Sequence, residues 1–210
     1  MCGRSVGSVS HYPGRVRPLL PAVVAALVAP VLPVLAAAPA GAANDQDPRT
    51  IDKRTVYTCS SEVLGTGDFE TFVRVQLPRT VTAGKKMAAR PLDLSIVVPE
   101  DMTQAMRDYG VEEVSGRSDD ATYKVGTKKR KIRRLELPAT EVPAEGLLVL
   151  EGTGTAQAVR LKKIDTYPVK LPGRFTATIS VTGSFSMSDE LTCRIAKGAK
   201  TKIGSVRVVP

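Results

Sequence analysis

From residue 53 to the end of the chain, short segments of β-forming residues follow one another, and glycine or proline separates most of them. Along 69–77, Phe69, Val73 and Val75 fall on one face, which is the two-residue period of a strand with one buried side. We expect Pro78 to end this strand. About ten such segments, which do not alternate with helices, predict an antiparallel β-sandwich rather than a parallel α/β sheet.

One helix is predicted, over 100–109. A proline precedes it, acidic residues occupy its first turn, and a glycine follows it. Met102, Met106 and Tyr109 are spaced so that they share one face of this helix. We expect that face to contact the core rather than to form a binding groove.

The first 43 residues have the organisation of a secretory signal peptide. Three arginines and no acid precede an uncharged stretch over 19–38, and small residues at 40–42 come before a polar segment. The uncharged stretch is also just long enough to span a membrane, but three prolines interrupt it. We therefore expect residues 1–43 to be removed and the product to be secreted or associated with the cell envelope. An uncleaved leader is the alternative and the only membrane contact expected.

Cleavage would leave a flexible arm, 44–52, and a single β-sandwich domain, 53–210. The whole chain has a formal net charge of +9, and without the leader, which contains three arginines and no acid, the charge is +6. This basic balance favours anionic partners or serves solubility.

The leader also contains His11, the only histidine, and Cys2. A product without histidine has no Ser-His-Asp or Cys-His catalysis and no histidine-based metal site. Two cysteines then remain, Cys59 and Cys193, and an even pair in an exported protein predicts a disulfide. Two free buried thiols are the alternative. We expect no catalytic residue, no metal and no cofactor.

Two further classes of function lose support. A hydrolase that uses only acidic side chains would need two facing carboxylates. Neighbouring strand residues point to opposite faces, so Glu112-Glu113 does not supply them, and Asp119-Asp120 has the composition of a turn. Nucleic acid is not expected as a partner, because tryptophan is absent and aromatic residues make up 4% of the chain.

Residues 128–134 are the most unusual segment, because six of the seven are cationic. The candidate anion-binding residues are Lys128, Lys129, Arg130, Lys131, Arg133 and Arg134. In a strand, Lys129, Lys131 and Arg133 would share one face, and Arg130, Ile132 and Arg134 the other. Neither face is apolar, so the segment is either a phosphate-binding ridge or a charged edge or hairpin that resists aggregation. Further basic residues would enlarge the ridge if the fold brings them close: Arg160, Lys162, Lys163, Lys197, Lys200, Lys202 and Arg207.

The order of several turn and strand motifs is similar to that of a known group of proteins. The motifs are Tyr57-Thr58-Cys59, the segments 78–84, 137–146, 152–156 and 171–173, and a late Cys193. Together they resemble exported actinobacterial proteins that carry an uncharacterised domain of unknown function. The resemblance implies an Ig-like β-sandwich with a terminal cysteine pair, and it implies no activity and no catalytic residues.

The sequence thus predicts a secreted, non-catalytic, Ig-like antiparallel β-sandwich with one short helix, preceded by a signal peptide. We expect it to bind an anionic cell-envelope polymer through 128–134. The alternative is an interaction module that binds another exported protein through a sheet edge. A histidine-free hydrolase is the remaining enzymatic hypothesis.

Overall fold

The structure is a computed structural model that describes residues 46–62 and 65–210. The predicted signal peptide, 1–43, lies outside the described residues. The described part contains thirteen strands and one helix. In chain order they are β1 (Gln46–Ser61), β2 (Gly65–Thr82), β3 (Lys86–Met87), β4 (Arg90–Val97), α1 (Glu100–Asp108), β5 (Val111–Ser118), β6 (Thr122–Val125), β7 (Lys128–Glu141), β8 (Val149–Ala156), β9 (Val159–Arg160), β10 (Thr166–Lys170), β11 (Arg174–Gly183), β12 (Met187–Ile195) and β13 (Lys202–Val209). The prediction of an all-β sandwich with one short helix is confirmed.

Eleven of the strands form one sheet, and β3 pairs with β9 in a small second sheet. The large sheet folds back on itself, because β1 also pairs with β2, and β7 also pairs with β8. These pairings close a circuit that runs β1, β12, β11, β5, β7, β8, β4, β2 and back to β1. Strands β6, β10 and β13 connect the first half of β7 to the far end of β2. All pairings are antiparallel except that of β13 with β2.

Two hydrophobic clusters fill the interior. The first lies inside the closed circuit and includes Tyr57, Phe69 and Met106. The second lies beneath β6, β10 and β13 and includes Val125 and Val206, which are fully buried. The two clusters are continuous, because partly buried side chains such as Phe175 pack against both.

The predicted disulfide between Cys59 and Cys193 is confirmed. The two cysteines stand directly opposite each other in the register of β1 and β12. Their sulfur atoms are bonded at 2.09 Å, and the bond links positions 134 residues apart. Both side chains are buried in the first cluster, so the bond joins β1 to β12 inside the core.

Glycines in β8 explain how β7 and β8 come together. Gly152 and Gly154 alternate with the exposed Glu151 and Thr153 and belong to the buried side of the strand. A Cβ atom at Gly152 would lie 2.7 Å from the carbonyl oxygen of Glu136 and would collide with Leu137 of β7. Because these two positions of β8 have no side chain, β7 can approach β8 closely enough to close the circuit.

The predicted ends of the first two strands are wrong. β2 does not end at Pro78 but continues to Thr82. Pro78 stands opposite Pro48 of β1. Neither proline has a backbone N–H, so this pair of residues exchanges no hydrogen bond that the strand could lose. The other edge of β2 also has no partner strand there, because its pairing with β4 ends at Val75 and that with β13 begins at Thr80. This long pairing places Gln46–Asp52 in β1 rather than in the predicted flexible arm.

The predicted helix is found at Glu100–Asp108. Met106 is buried, and Met102 packs partly buried against the first cluster, as expected. Tyr109 does not join them, because the helix has already ended and 72% of this side chain is exposed. Within the described ranges, no helix is long and apolar enough to cross a membrane.

Candidate functional site

The basic segment forms one arm of a hairpin. Lys128–Lys131 pairs with Thr122–Val125 of β6, and the connecting turn contains Gly126 with a φ of 60°. A Cβ atom is unfavourable at this angle, so glycine suits the position. The other edge of this arm has no strand partner among the described residues and receives one backbone bond, from Gln157 N to Lys131 O, at 3.1 Å. The segment is thus a hairpin arm with a nearly open edge.

The six cationic residues do not share one face. Lys129, Lys131 and Arg133 are exposed on the outer face, as predicted, whereas Lys128 and Arg130 are half-buried. The predicted grouping of Arg134 with Arg130 is wrong. Arg134 lies in a register shift between Arg133 and Glu136, has a φ of 49°, and is exposed. The shift interrupts the alternation on which the prediction depended.

The outer face of the hairpin continues into a row of lysines that crosses four strands. Lys129 stands opposite Lys124 of β6, and Lys124 stands opposite Lys170 of β10. Lys170 in turn stands opposite Lys202 of β13. All four side chains are exposed. Neighbouring strands lie about 4.8 Å apart, so the row extends over roughly 15 Å. We call Lys129, Lys124, Lys170 and Lys202 the lysine ladder.

A register shift completes the ladder. In an unbroken pairing of β10 with β13, Lys170 would face Ile203, because Val169 faces Gly204. The shift after Val169 instead places Lys202 opposite Lys170. Ile203 packs partly buried against the second cluster, which leaves Lys202 at the surface.

Edge protection does not explain the ladder. Charges that guard against aggregation are needed along an edge strand. Lys124 and Lys170 instead lie on β6 and β10, which have partner strands on both sides. Like charges directly opposite each other destabilise a sheet. Within the part of the chain that the structure describes, no carboxylate forms an ion pair with the four lysines. Their repulsion is therefore not relieved inside the molecule.

Some of the other basic residues lie near the hairpin. Lys128 Nζ donates a hydrogen bond to the carbonyl oxygen of Arg160. Tyr167 packs over Gly126 in the turn, and its hydroxyl donates to the carbonyl oxygen of Lys163 at 3.0 Å. Arg160 and Lys163 thus flank the hairpin. Arg207 does not join the ladder, because it pairs with Thr166 and Thr80 at the other end of β13. Sequence analysis did not single out Lys124 and Lys170, because each is isolated among uncharged neighbours.

Two buried tyrosines remain neutral. Burial raises the pKa of Tyr123 to about 12, and the positive charge of Arg130, its cross-strand neighbour, partly opposes this. The Tyr123 hydroxyl donates to the carbonyl oxygen of Gln157. Burial likewise raises the pKa of Tyr57, whose hydroxyl donates to the carbonyl oxygen of Pro172 at 2.9 Å. Neither phenol is arranged to act as a base at neutral pH.

The acidic pairs are not arranged as facing carboxylates. Glu112 and Glu113 are exposed on β5. Asp119 and Asp120 form the bend between β5 and β6, and Asp120 Oδ1 accepts a hydrogen bond from Thr176 N at 2.8 Å. The role of Asp120 is thus to tie this bend to β11. Among the residues placed by the structure, no cluster of three or more metal-ligating side chains occurs.

These features define a disulfide-linked, all-β protein with a cationic outer face. The chain belongs to DUF6801, a family of unknown function, whose sequence profile matches residues 56–204. No curated protein and no solved structure matches the chain. The matched span contains both cysteines and the whole lysine ladder. The family description names neither a fold nor a source, so the Ig-like character and the actinobacterial origin stay predictions.

Proposed function

We propose that this protein is a secreted, non-catalytic protein that binds an anionic polymer of the cell envelope along the lysine ladder. The observation that supports the proposal is the register that aligns four exposed lysines across β7, β6, β10 and β13. A linear polymer with repeated phosphate or sulfate groups would place successive anions along such a row. Bound anions would also remove the repulsion between the lysines.

The outer face of β7 widens this surface. Lys131 and Arg133 follow Lys129 on the same exposed side of the strand. The surface thus has one row of charges across the strands and a second along β7. A polymer bound to it would contact phosphates without reading a specific sequence, and binding would weaken with salt.

The experiment measures binding to immobilised heparin and to purified teichoic acid at several salt concentrations. The test variant replaces three lysines of the ladder by threonine, and the control replaces three exposed arginines elsewhere by threonine. The test set is Lys124, Lys129 and Lys170, and the control set is Arg74, Arg174 and Arg194. The two variants have the same net charge, so a difference between them reports position rather than total charge.

We expect the test variant to lose affinity for both polymers much more than the control does. By analogy with phosphate contacts in nucleic acids, each lost contact lowers the slope of log affinity against log salt by about 0.7–0.9, so three should lower it by about two to three. Equal losses in the two variants would show that only net charge matters, and elution of the unmodified protein below physiological salt would refute the proposal outright.

A second candidate function is binding of another exported protein at the edge of β1. From Gln46 to Thr55, β1 pairs only with β2, and the structure describes no strand on its other side. Such an edge accepts an added strand. Pro48 and the charged Asp52 and Arg54 along it disfavour pairing, so we rank this function second. Co-purification from culture supernatant that persists in high salt would favour it over polymer binding.

A further inference from the structure

A narrow cavity of about 110 Å³ runs through the interior. At one end its wall is formed by Met102 and Met106 of α1, in the first cluster. At the other end the wall is formed by Ala121 and Ile132, in the second cluster. The surface between them is almost wholly apolar and includes the disulfide.

The hydroxyl protons of the wall point to backbone carbonyl oxygens. Ser118 Oγ donates to the carbonyl oxygen of Thr176 at 2.6 Å, and the Tyr57 hydroxyl donates to that of Pro172 at 2.9 Å. Thr71 Oγ1 donates weakly to the carbonyl oxygen of Phe69 at 3.4 Å. A water molecule in a cavity needs two to four polar partners, and apolar cavities stay dry and bind apolar guests. The contents of this cavity must therefore be hydrocarbon-like or absent.

The shape of the cavity restricts the guest. Its volume, about 110 Å³, is smaller than the roughly 150 Å³ that accommodates benzene in a known apolar cavity. It nevertheless reaches from the helix to the junction of the two clusters. A small volume spread over that distance is long and thin. An unbranched hydrocarbon chain fits such a space, and a ring does not.

A seam between β5 and β11 provides a way in. The backbone pairing of these strands ends where Arg117 stands opposite Thr178. Beyond this pair, side-chain hydrogen bonds link the two segments in place of backbone ones, because the side chains of Ser118 and Asp120 bond to the backbone of Thr176. Arg117, which is exposed, belongs to the wall of the cavity, and so does the half-buried Ala177 next to the seam. The cavity thus approaches the surface where the sheet is held only by side chains.

We propose that this cavity binds one unbranched acyl or alkyl chain, which enters at the seam between β5 and β11. The proposal does not rest on the lysine ladder, and the two sites can be tested separately. No covalent step is involved. The chain would occupy the space between the two hydrophobic clusters, with its polar end at the seam.

The first experiment titrates the protein with hexanoate, octanoate, decanoate and dodecanoate by calorimetry. Each added methylene should raise the affinity about fourfold until the cavity is full, after which affinity should stop rising. Cyclohexanecarboxylate should bind more weakly than hexanoate. Failure of every chain to bind, or equal affinity for the ring compound, would overturn the proposal.

The second experiment fills the cavity. Ala177 lies on the same side of β11 as the buried Ile179, so Ala177→Leu adds carbon atoms to the cavity, and Thr182→Leu adds them to the outer side, away from the seam. Ala177→Leu should lower decanoate affinity at least tenfold, and Thr182→Leu should leave it unchanged. Ala121→Val, at the other end, serves as a second filled variant if Ala177→Leu fails to fold. Unchanged affinity in a folded, filled variant would overturn the proposal.

The third experiment distinguishes the possible sources of the chain. Dodecanoate and dodecylphosphocholine share the hydrocarbon chain and differ in the head group. Similar affinities would support recognition of the chain itself, whether it comes from a free acid or from a lipid. Affinity that follows the head group and ignores chain length would overturn the proposal.

Discussion

Replacing Lys124 by threonine should stabilise the folded protein. Lys124 stands between two other lysines of the ladder, Lys129 and Lys170, so the change removes two like-charge contacts at once. Two charges about 5 Å apart in water repel each other by about 0.8 kcal/mol. Flexible side chains reduce this value, and measured cross-strand charge effects are about 0.2–1 kcal/mol per pair. We expect the free energy of unfolding to rise by about 1 kcal/mol in 10 mM salt.

Lys131→Thr is the matched control. Lys131 lies on the same exposed face of β7, but it stands opposite Thr122 rather than a lysine. Both changes remove one positive charge and introduce the same strand-favouring residue, so their difference isolates the ladder. Urea unfolding followed by circular dichroism measures both variants in 10 mM and in 1 M sodium chloride.

Salt supplies the decisive comparison. The screening length falls from about 30 Å to about 3 Å between these conditions, so the advantage of Lys124→Thr over Lys131→Thr should fall by more than half. If Lys124→Thr is no more stable than Lys131→Thr at low salt, or if the difference persists in 1 M salt, the ladder is not a source of repulsion. The physical argument for anion binding would then fail with it.

Three further changes test the fold. Replacing Cys59 and Cys193 together by serine removes a bond between residues 134 positions apart, and the loop-entropy estimate predicts a loss of about 4–5 kcal/mol in urea unfolding; a loss below about 1 kcal/mol would contradict it. Arg134→Gly should raise stability by about 1 kcal/mol in the same assay, because Arg134 has a φ of 49° that glycine adopts freely, and Arg134→Ala should give no such gain. Tyr57→Phe should cost about 1 kcal/mol at neutral pH through its lost hydrogen bond. Because the pKa of Tyr57 is raised in the fold, its proton stabilises the folded state fully below the ordinary tyrosine pKa of 10.0, and that contribution is lost as the pH rises above it. Melting temperatures between pH 9 and 11 should therefore fall less steeply in Tyr57→Phe than in the unmodified protein, and parallel curves would refute this assignment.

The parts of the fold that local patterns determine could be predicted from the sequence. β2 includes 69–77, the segment whose alternation predicts a strand with one buried face, and α1 follows its proline and its first-turn acids. The disulfide follows from the pair of cysteines that remains once the predicted leader is set aside. These predictions succeed because each depends on neighbouring residues or on composition alone.

The parts that depend on distant partners could not be predicted. β10, Thr166–Lys170, is short and is interrupted by Pro168, and it forms because β6 and β13 lie on either side of it. The prediction that Pro78 ends β2 is wrong for the same reason. The edge of β2 beside Pro78 has no partner strand, and this is determined only by where β4 and β13 pair. The lysine ladder requires four strand registers at once, and one of them contains a shift. The cavity likewise depends on how two clusters meet.

The lysine ladder crosses the pairing of β10 with β6, which is one of the shortest strand pairings in the sheet. We call this pairing the joint. β10 pairs with β6 through only two residues, Val169 and Lys170, and the second of these pairs places Lys170 opposite Lys124. Repulsion is thus concentrated where little backbone pairing resists it. An anion bound across Lys124 and Lys170 would hold the two strands together, so polymer binding and local stability should be linked.

This linkage predicts an effect on hydrogen exchange. Heparin should slow exchange of the backbone amides in β6 and β10, because binding to the closed joint makes its opening rarer. Heparin at one hundred times its dissociation constant would stabilise a closed joint by about 2.7 kcal/mol, which corresponds to about a hundredfold slower exchange. Amides of β12 beside the disulfide serve as the internal control, because two strands separate β12 from the nearest strand of the ladder in either direction. If heparin slows exchange equally in both regions, or in neither, the ladder is not the place where the polymer binds.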